Sequence, residues 1–548
     1  MIHVTVSGKS MTLPEGTSVL ETLRQAGCGE GVLAAMNDFN VLSLAEPVPD
    51  GAVLTPLDIT HEEGRRVYER TLRMVMLTAV QALWPGQRVR IEYSSGYGVY
   101  VRLPGMKPDE AMLRSLEAEM RAITAADLSF TREELSLEQV KECFEEQGLT
   151  DKLELLRYRS RPVMTLYGLP WKGRQIRDYF YGVMAPSTGT VSVFALGLQD
   201  EGFAVLPMLP DGTQAPMVYR PKHMAVFRQS ADWCRILGVE NASDLCRMVE
   251  GKQLRGFIRV NEALHDQAIG DIAREIVARN RHIVMVAGPS SSGKTTFAGR
   301  LGVHLQVLGR KATRISLDDY YLDRSRVPLE PDGTIDLEAI TTLDLPLLQR
   351  QMTALLAGET VELPRYNFHT GCREKKGVPF RLAKDEIIIV EGIHGLNPDL
   401  CAGIPEGEIH RVFVSALTCL NLDDHNRIRT TDVRLLRRIV RDYQFRGTRP
   451  EATLKMWPSV RRGEERWIFP YQEMADSMFN TALHYELPVL GHYAAPLLQA
   501  ITPRMEGYHM ASRLRKILNY MPALDESVFT EIPPLSLLRE FIGGCTME

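Results

Sequence analysis

The sequence predicts a multi-domain protein, α+β in its N-terminal part and α/β with a mostly parallel sheet in its C-terminal part. Three observations predict this. Residues 281–500 alternate short apolar strands with amphipathic helical stretches, the order of an α/β domain. Residues 1–220 instead set hairpin-like alternations beside separate helical patterns. The chain has 548 residues, more than one hydrophobic core organises, and three or four domains is the prior.

The elements follow in order. Ile2-His-Val-Thr-Val6 and Met11-Thr-Leu13 read as strands around a turn at Gly8-Lys-Ser10, and Ser18–Ala26 reads as a helix capped by Ser18 and ended by Gly27. A hairpin, a helix and further short strands over 1–60 make a small β-grasp pattern. Over 61–220 a long helix runs to Trp84-Pro85-Gly86. It is followed by a hairpin (Arg90–Tyr93 with Gly98–Leu103), a helix over Pro108–Ala125 and a strand over Val191–Leu196. Residues 221–280 read as connecting helices, one opened by Asn241 and one over Leu264–Arg279. Strands are expected at Ile283–Ala287, Arg314–Leu317, Ile387–Val390 and Arg411–Ser415, with 501–548 as a C-terminal tail.

Composition narrows the classes. Hydrophobic content of 44% and charged content of 24% suit packed, hydrated domains. A net charge of −5 argues against a polyanion binder read from bulk charge, though not against a local basic patch. The eight cysteines (Cys28, Cys143, Cys234, Cys246, Cys372, Cys401, Cys419, Cys545) form no C-x-x-C pair, which fits reduced thiols in a cytoplasmic protein. No basic leader precedes a long apolar stretch, and no apolar run reaches bilayer length, so no membrane association is expected.

The strongest local signal is Ile283–Phe297: an apolar run, then Gly288-Pro289-Ser290-Ser291-Ser292-Gly293-Lys294-Thr295-Thr296, then a helix-like stretch. This is a phosphate-binding loop in its strand–loop–helix context. Its glycines let successive N–H groups turn into one cavity, and the helix start adds the positive end of its dipole. Lys294 supplies a cation for the outer phosphates of ATP, and Thr295 a hydroxyl for Mg²⁺.

Other segments supply the remaining parts of a phosphoryl transfer. Glu391 ends the apolar run Ile387–Val390, where a metal-holding carboxylate is expected. Asp318 and Asp319 follow a strand, at the sheet end where ligands bind, with Asp318 as candidate base and Asp319 as an N-cap or a solvated neighbour. Arg434, Arg437, Arg438 and Arg441 recur at helical spacing on one face, as a triphosphate clamp or as a solvated basic face.

Together these segments resemble the uridine kinase family, kin of the phosphoribulokinases, over about 281–490. The matching segments are Ser316–Tyr321, Gly333–Glu338, Tyr366-Asn-Phe368, Glu391–His394, Arg437–Asp442, Trp457–Val460 and Phe479–Glu486. The resemblance implies catalytic roles for Asp318, Lys294, Arg438 and Arg441. It implies a ribose-binding role for Asp336 and nucleoside contacts from Tyr366 and Arg438. It implies a ribonucleoside as the acceptor. The family's base-contacting histidine falls on Gly371 and the last arginine of its R-G-R on Thr448. His369 is the candidate in the histidine's place, and base choice stays open with uridine first.

Residues 1–60 resemble the TGS domain of threonyl-tRNA synthetases and some GTPases, and 61–220 resemble the editing domain of threonyl- and alanyl-tRNA synthetases. The positions of that domain's metal ligands fall on Arg70, Met74, Phe180 and Met184, which cannot form a His/Cys metal site. This half is therefore expected to bind tRNA, RNA or a small effector without deacylation chemistry. Two alternatives stay open beside the nucleoside kinase: a phosphoribulokinase-like sugar-phosphate kinase, and an RNA- or tRNA-binding regulator with an ATPase switch. The oligomeric state is open as well.

Overall fold

The computed structural model describes residues 1–159, 161–329, 335–367 and 370–547. The N-terminal strand Ile2–Val6 pairs antiparallel with Lys9–Leu13 and parallel with Val53–Leu57, in a five-stranded sheet completed by Ala34–Asn37 and Asn40–Leu42. The helix Val19–Gln25 lies on it, and Ser18 accepts from the Glu21 N–H at 3.2 Å, the cap expected from the sequence.

The next region carries two antiparallel sheets. One joins Thr131–Ser136, Val163–Trp171 and Arg174–Asp178, and the other joins Arg90–Ser95, Gly98–Arg102, Gly202–Leu206 and Ala195–Gln199. The helices Glu62–Leu83 and Glu110–Ala125 pack beside them. The strand expected over Val191–Leu196 is instead a 3₁₀ turn at Thr188–Val191, and the strand starts at Ala195. The Thr188 hydroxyl explains the turn, because it donates to the Ile123 carbonyl at 2.8 Å and accepts from the Leu128 N–H at 2.9 Å. The helix expected from Leu264 begins earlier and spans Leu254–Ala278.

The C-terminal α/β sheet is fully parallel, with β1 (Ile283–Ala287) at its centre. Helix α1 (Lys294–Val307) follows, then β2 (Lys311–Ser316), β3 (Glu386–Glu391) and β4 (Ile409–Ser415). Helices α2 (Thr430–Phe445) and α3 (Pro450–Trp467) come next, and β5 (Ser477–Asn480) closes the edge. In the order β2-β3-β1-β4-β5, alternate residues of β1 and β3 enter two different apolar clusters, so both faces are covered and these two strands read as near-continuous apolar runs. Ile387, Ile388, Ile389 and Val390 are each fully buried, which contributes about 1.5–3 kcal/mol per side chain.

Residues 501–547 fold back into helices, including Tyr508–Leu518 and Arg539–Ile542. Leu538 and Phe541 share one apolar core with Leu435, Ile439 and Phe257. The connector, α2 and the last residues therefore form one packing unit.

Between β4 and α2 lies a segment that docks on the N-terminal half. Lys152 Nζ sits 2.9 Å from Asp178 and 2.8 Å from Asp423, and His425 Nδ1 lies 2.6 Å from Asp178. Asp424 pairs with Arg88 and, at 2.7 Å, with Arg90. These groups are almost all buried, so each charge depends on its partner.

Candidate functional site

The loop after β1 is shaped by close approach. A Cβ on Gly288 would stand 2.0 Å from the Val414 carbonyl oxygen of β4, so only glycine fits there. Gly293 (φ 85°) and Ser291 (φ 57°) both adopt left-handed backbone, which turns the loop into α1. Lys294 donates to the Pro289 carbonyl at 3.1 Å. The Ser291 and Ser292 hydroxyls are buried without a partner among the described residues, the mark of a loop built for a further oxygen-rich group. Thr296, the last loop residue expected to touch ATP, gives its hydroxyl to Glu540 at 2.9 Å.

Thr295 and Glu391 meet at the mouth. The Thr295 hydroxyl lies 3.1 and 3.3 Å from the two Glu391 carboxylate oxygens, bringing the end of β3 to the start of α1. Both are hard oxygen donors, and with phosphate oxygens they fit Mg²⁺.

The arginine face of α2 splits in two. Arg434 and Arg437 are 1% and 0% exposed and act as buttresses. Arg434 donates to the Ser290 carbonyl at 2.9 Å and pairs with the buried Glu464. Arg437 pairs with Glu486 at 2.6 Å and donates to the Thr481 carbonyl at 2.8 Å, while the Thr481 hydroxyl donates to the Ser292 carbonyl at 2.6 Å. Arg438 and Arg441 stay partly open. Arg438 donates to the Ser290 hydroxyl at 2.8 Å, and Arg441 lines a cleft of about 340 Å³ with Thr295, Arg446 and Glu540. The sequence reading of one solvated or phosphate-facing stripe is thus corrected for its inner pair, whose partners come from α3 and the start of the 486–499 helix.

On the acceptor side, Asp318 stands in a 3₁₀ turn after β2, with its backbone N–H on the Ser316 hydroxyl at 3.3 Å. Asp319 is neither a cap nor a solvated neighbour, since it accepts from the Tyr366 N–H at 3.1 Å and fixes that residue's strand. The Tyr366 ring lies 5.7 Å from that of Tyr321. Asp336 accepts from the Trp467 indole at 3.1 Å and from the Glu338 N–H at 3.0 Å. His369 lies outside the described residues.

Charge at this mouth is balanced by opposites. Burial pushes the Asp318 carboxyl above its usual range, Asp319 adds to this, and Lys294 and Arg446 oppose it. Glu391 is raised by burial, with Lys294 pulling it back. Lys294 is lowered by burial, against the fields of Glu391, Glu540 and Asp318. Glu338 is pushed up to about 7, by burial and then by Glu464, with Arg438 and Lys294 opposing. These shared influences draw Asp318, Lys294, Glu391, Arg438 and Glu338 into one electrostatic neighbourhood.

Several members of the site have no local signature. Glu464 accepts from the Ser290 N–H at 3.2 Å across 174 residues of sequence, and Glu540 reaches Thr296 across 244. Only Glu338, beside the expected Asp336, was within reach of motif reasoning.

A phosphate-loop strand–loop–helix, a metal-suited pair and a carboxylate at the same strand ends, in the field of the loop lysine, define a P-loop phosphotransferase. Residues 283–484 match the phosphoribulokinase / uridine kinase family model. Uridine kinase of Halobacterium salinarum is 31% identical over 193 residues, 35% of this chain and 76% of its own. That of Lactobacillus helveticus is 30% identical over 196 residues, 35% of this chain and 83% of its own. The chain belongs to the phosphoribulokinase/uridine kinase family through this C-terminal region. Its N-terminal half is similar to threonine–tRNA ligase of Symbiobacterium thermophilum, 29% identical over 204 residues, which are 36% of this chain and 30% of the ligase. Among the described residues no helix is long and apolar enough to cross a membrane.

Proposed function

We propose that this chain is an ATP-dependent ribonucleoside kinase that transfers the γ-phosphate to a 5′-hydroxyl and yields a nucleoside monophosphate, with uridine as the first candidate. The observation that carries the reading is the Asp318 carboxylate, two residues beyond the Ser316 that pairs with Glu391 in the sheet, raised in pKa at the mouth it shares with Lys294. A base there takes the hydroxyl proton as the oxygen attacks. Gly288 to Thr296 cradle the ATP phosphates, and Lys294 meets the outer ones. Thr295 and Glu391 would hold Mg²⁺, which when bound neutralises charge on the triphosphate. Arg438 and Arg441 face the migrating group, where guanidinium forks offset charge gathering on its oxygens. Asp336 accepts from the 2′- and 3′-hydroxyls, while Tyr366 and Arg438, with His369, contact the nucleoside.

The likeness to the uridine kinases supports a nucleoside over a sugar phosphate. The N-terminal half is a binding module, with divisions near residues 60, 220, 280 and 500. Purified protein with ATP, Mg²⁺ and a panel of uridine, cytidine, adenosine, inosine and their 2′-deoxy forms tests the function by direct detection of the monophosphate. Product from ribonucleosides above deoxyribonucleosides is expected. Equal rates would remove Asp336 from the ribose role, and no product from any nucleoside would sink the reading.

A further inference from the structure

A second polar cavity, about 510 Å³, lies between the N-terminal half and the helix Tyr508–Leu518, where the editing-like resemblance would put a metal. Of the four corresponding positions, Met74 and Met184 are buried in the apolar core, while Arg70 and Phe180 line the cavity. Arg70 therefore brings a fixed cation to that place. Arg159, Arg161 and Lys516 join it on the wall.

These four cations have no carboxylate partner among the described residues. Arg70, 9% exposed, gives its guanidinium to the Val183 carbonyl. Arg159 donates to the Tyr520 hydroxyl at 2.7 Å and the Val163 carbonyl at 2.8 Å, and its Nε is buried and unpartnered. Arg161 and Lys516 keep accessible surface. The carboxylates on the wall are committed elsewhere or set apart. Glu63 binds Arg513 at 3.1 Å and Arg66 at 3.3 Å, Glu46 binds Arg132 at 3.1 Å, and Glu134 is exposed. Burial, opposed by Glu63 and Tyr167, holds the Arg70 guanidinium down to about 10, and Lys516 is lowered by crowding and then by Arg70 and Arg161. Gathering cations without counter-charge is costly unless an anion completes the site.

We propose that this cavity binds a phosphate-bearing small molecule of nucleoside-diphosphate type, and that its occupancy is read by the kinase site. Four cations exceed what one carboxylate offsets, whereas a diphosphate carries matching charge and suits guanidinium forks. Tyr167, Tyr181 and Tyr520 add ring surface for a base, and the volume suits a small ligand rather than a strand of RNA. The link is Arg513. It lines the cavity, holds Glu63, and donates to Asp432 at 3.0 and 3.1 Å in the first turn of α2, the helix that carries Arg438 and Arg441. An anion that draws Arg513 toward the cavity loosens its hold on that turn.

The binding test does not depend on the proposed kinase activity. In full-length Lys294→Ala protein, with the phosphate loop disabled, inorganic pyrophosphate and UDP are titrated calorimetrically. Saturable one-to-one binding is expected. Combining Arg161→Glu and Lys516→Glu should weaken it at least about tenfold, since each substitution turns a charge-assisted contact into a repulsion. Should that pair disturb folding, Arg161→Ala alone is expected to weaken binding in the same direction. Absence of binding at millimolar ligand, or binding indifferent to these substitutions, would overturn the site. Binding of a tRNA at the same residues with neither small probe bound would overturn it in favour of RNA. With Lys294 intact, the Arg161→Glu/Lys516→Glu chain should keep its basal phosphorylation rate and lose the part of the pyrophosphate response that wild type shows. An unchanged response would overturn the coupling.

Discussion

The phosphate-loop mouth and the N-terminal cavity treat cations in opposite ways. At the mouth Lys294 stands in the fields of Glu391, Glu540 and Asp318, and the inner arginines of α2 are paired with Glu464 and Glu486. In the cavity Arg70, Arg159, Arg161 and Lys516 gather with no carboxylate partner among the described residues. The difference teaches what each can hold. A site that supplies its own carboxylates suits a polyanion arriving with a metal cation, because those carboxylates need a positive charge to settle them. A bare cluster of guanidinium groups suits an anion on its own.

The comparison breaks first at its buttresses. Arg434→Ala leaves Glu464 as a buried, half-compensated charge and should cost about 3–5 kcal/mol of stability, read as a large fall in the denaturation midpoint. Arg441→Ala, on the same helix, should leave that midpoint nearly unchanged and reduce turnover instead. Equal destabilisation by the two would erase the division of the arginine face. Lys294→Ala should reduce turnover on the order of 10²-fold or more with the fold intact. Near-normal phosphorylation by this protein would remove Lys294 from the site.

Asp318→Asn keeps the shape and removes the base, so a loss on the order of 10²-fold with ATP binding retained is expected. Because burial raises the Asp318 pKa, the base protonates at higher pH than a free carboxylate. Wild-type kcat should therefore fall on the acid side above the ordinary carboxylate range, and the residual rate of the Asn variant should lack that limb. The smallest effect is at the docking segment. His425 is buried beside Lys152, which both oppose its charge, but Asp178 raises its pKa overall. A raised folded pKa gives stability that is complete below about 6.5 and fades as pH rises through the folded value. His425→Gln should flatten that alkaline decline in thermal midpoint; a decline unchanged by the substitution would assign it elsewhere.

How much of this could be read beforehand depends on how far apart the partners lie. The loop from Gly288 to Thr295 and the strands ending at Ser316 and Glu391 carry their own local patterns and were legible. The division among four arginines at helical spacing was not, because periodicity assigns a face while burial depends on Glu464 and Glu486 from later helices. Val191–Leu196 has the composition of a strand, yet a hydroxyl from Thr188 bound to the Ile123 carbonyl redirects it. The cavity was half legible. Arg70 and Phe180 were marked as misfits to a metal site, but Lys516 joins them only through folding of the last residues.

The contact of Glu540 with Thr296 also has a consequence for the timing of synthesis. The phosphate loop leaves the ribosome 244 residues before the carboxylate that closes beside it, and Leu537 packs on Phe297 and Leu301 of α1 at that same late stage. A growing chain that has passed residue 500 therefore owns a complete loop with one wall of its cleft still unwritten. The cleft that Arg441 and Thr295 line is therefore completed only when the last residues fold onto α1, so truncating the chain before Leu537 removes a wall of that cleft while leaving the loop sequence whole.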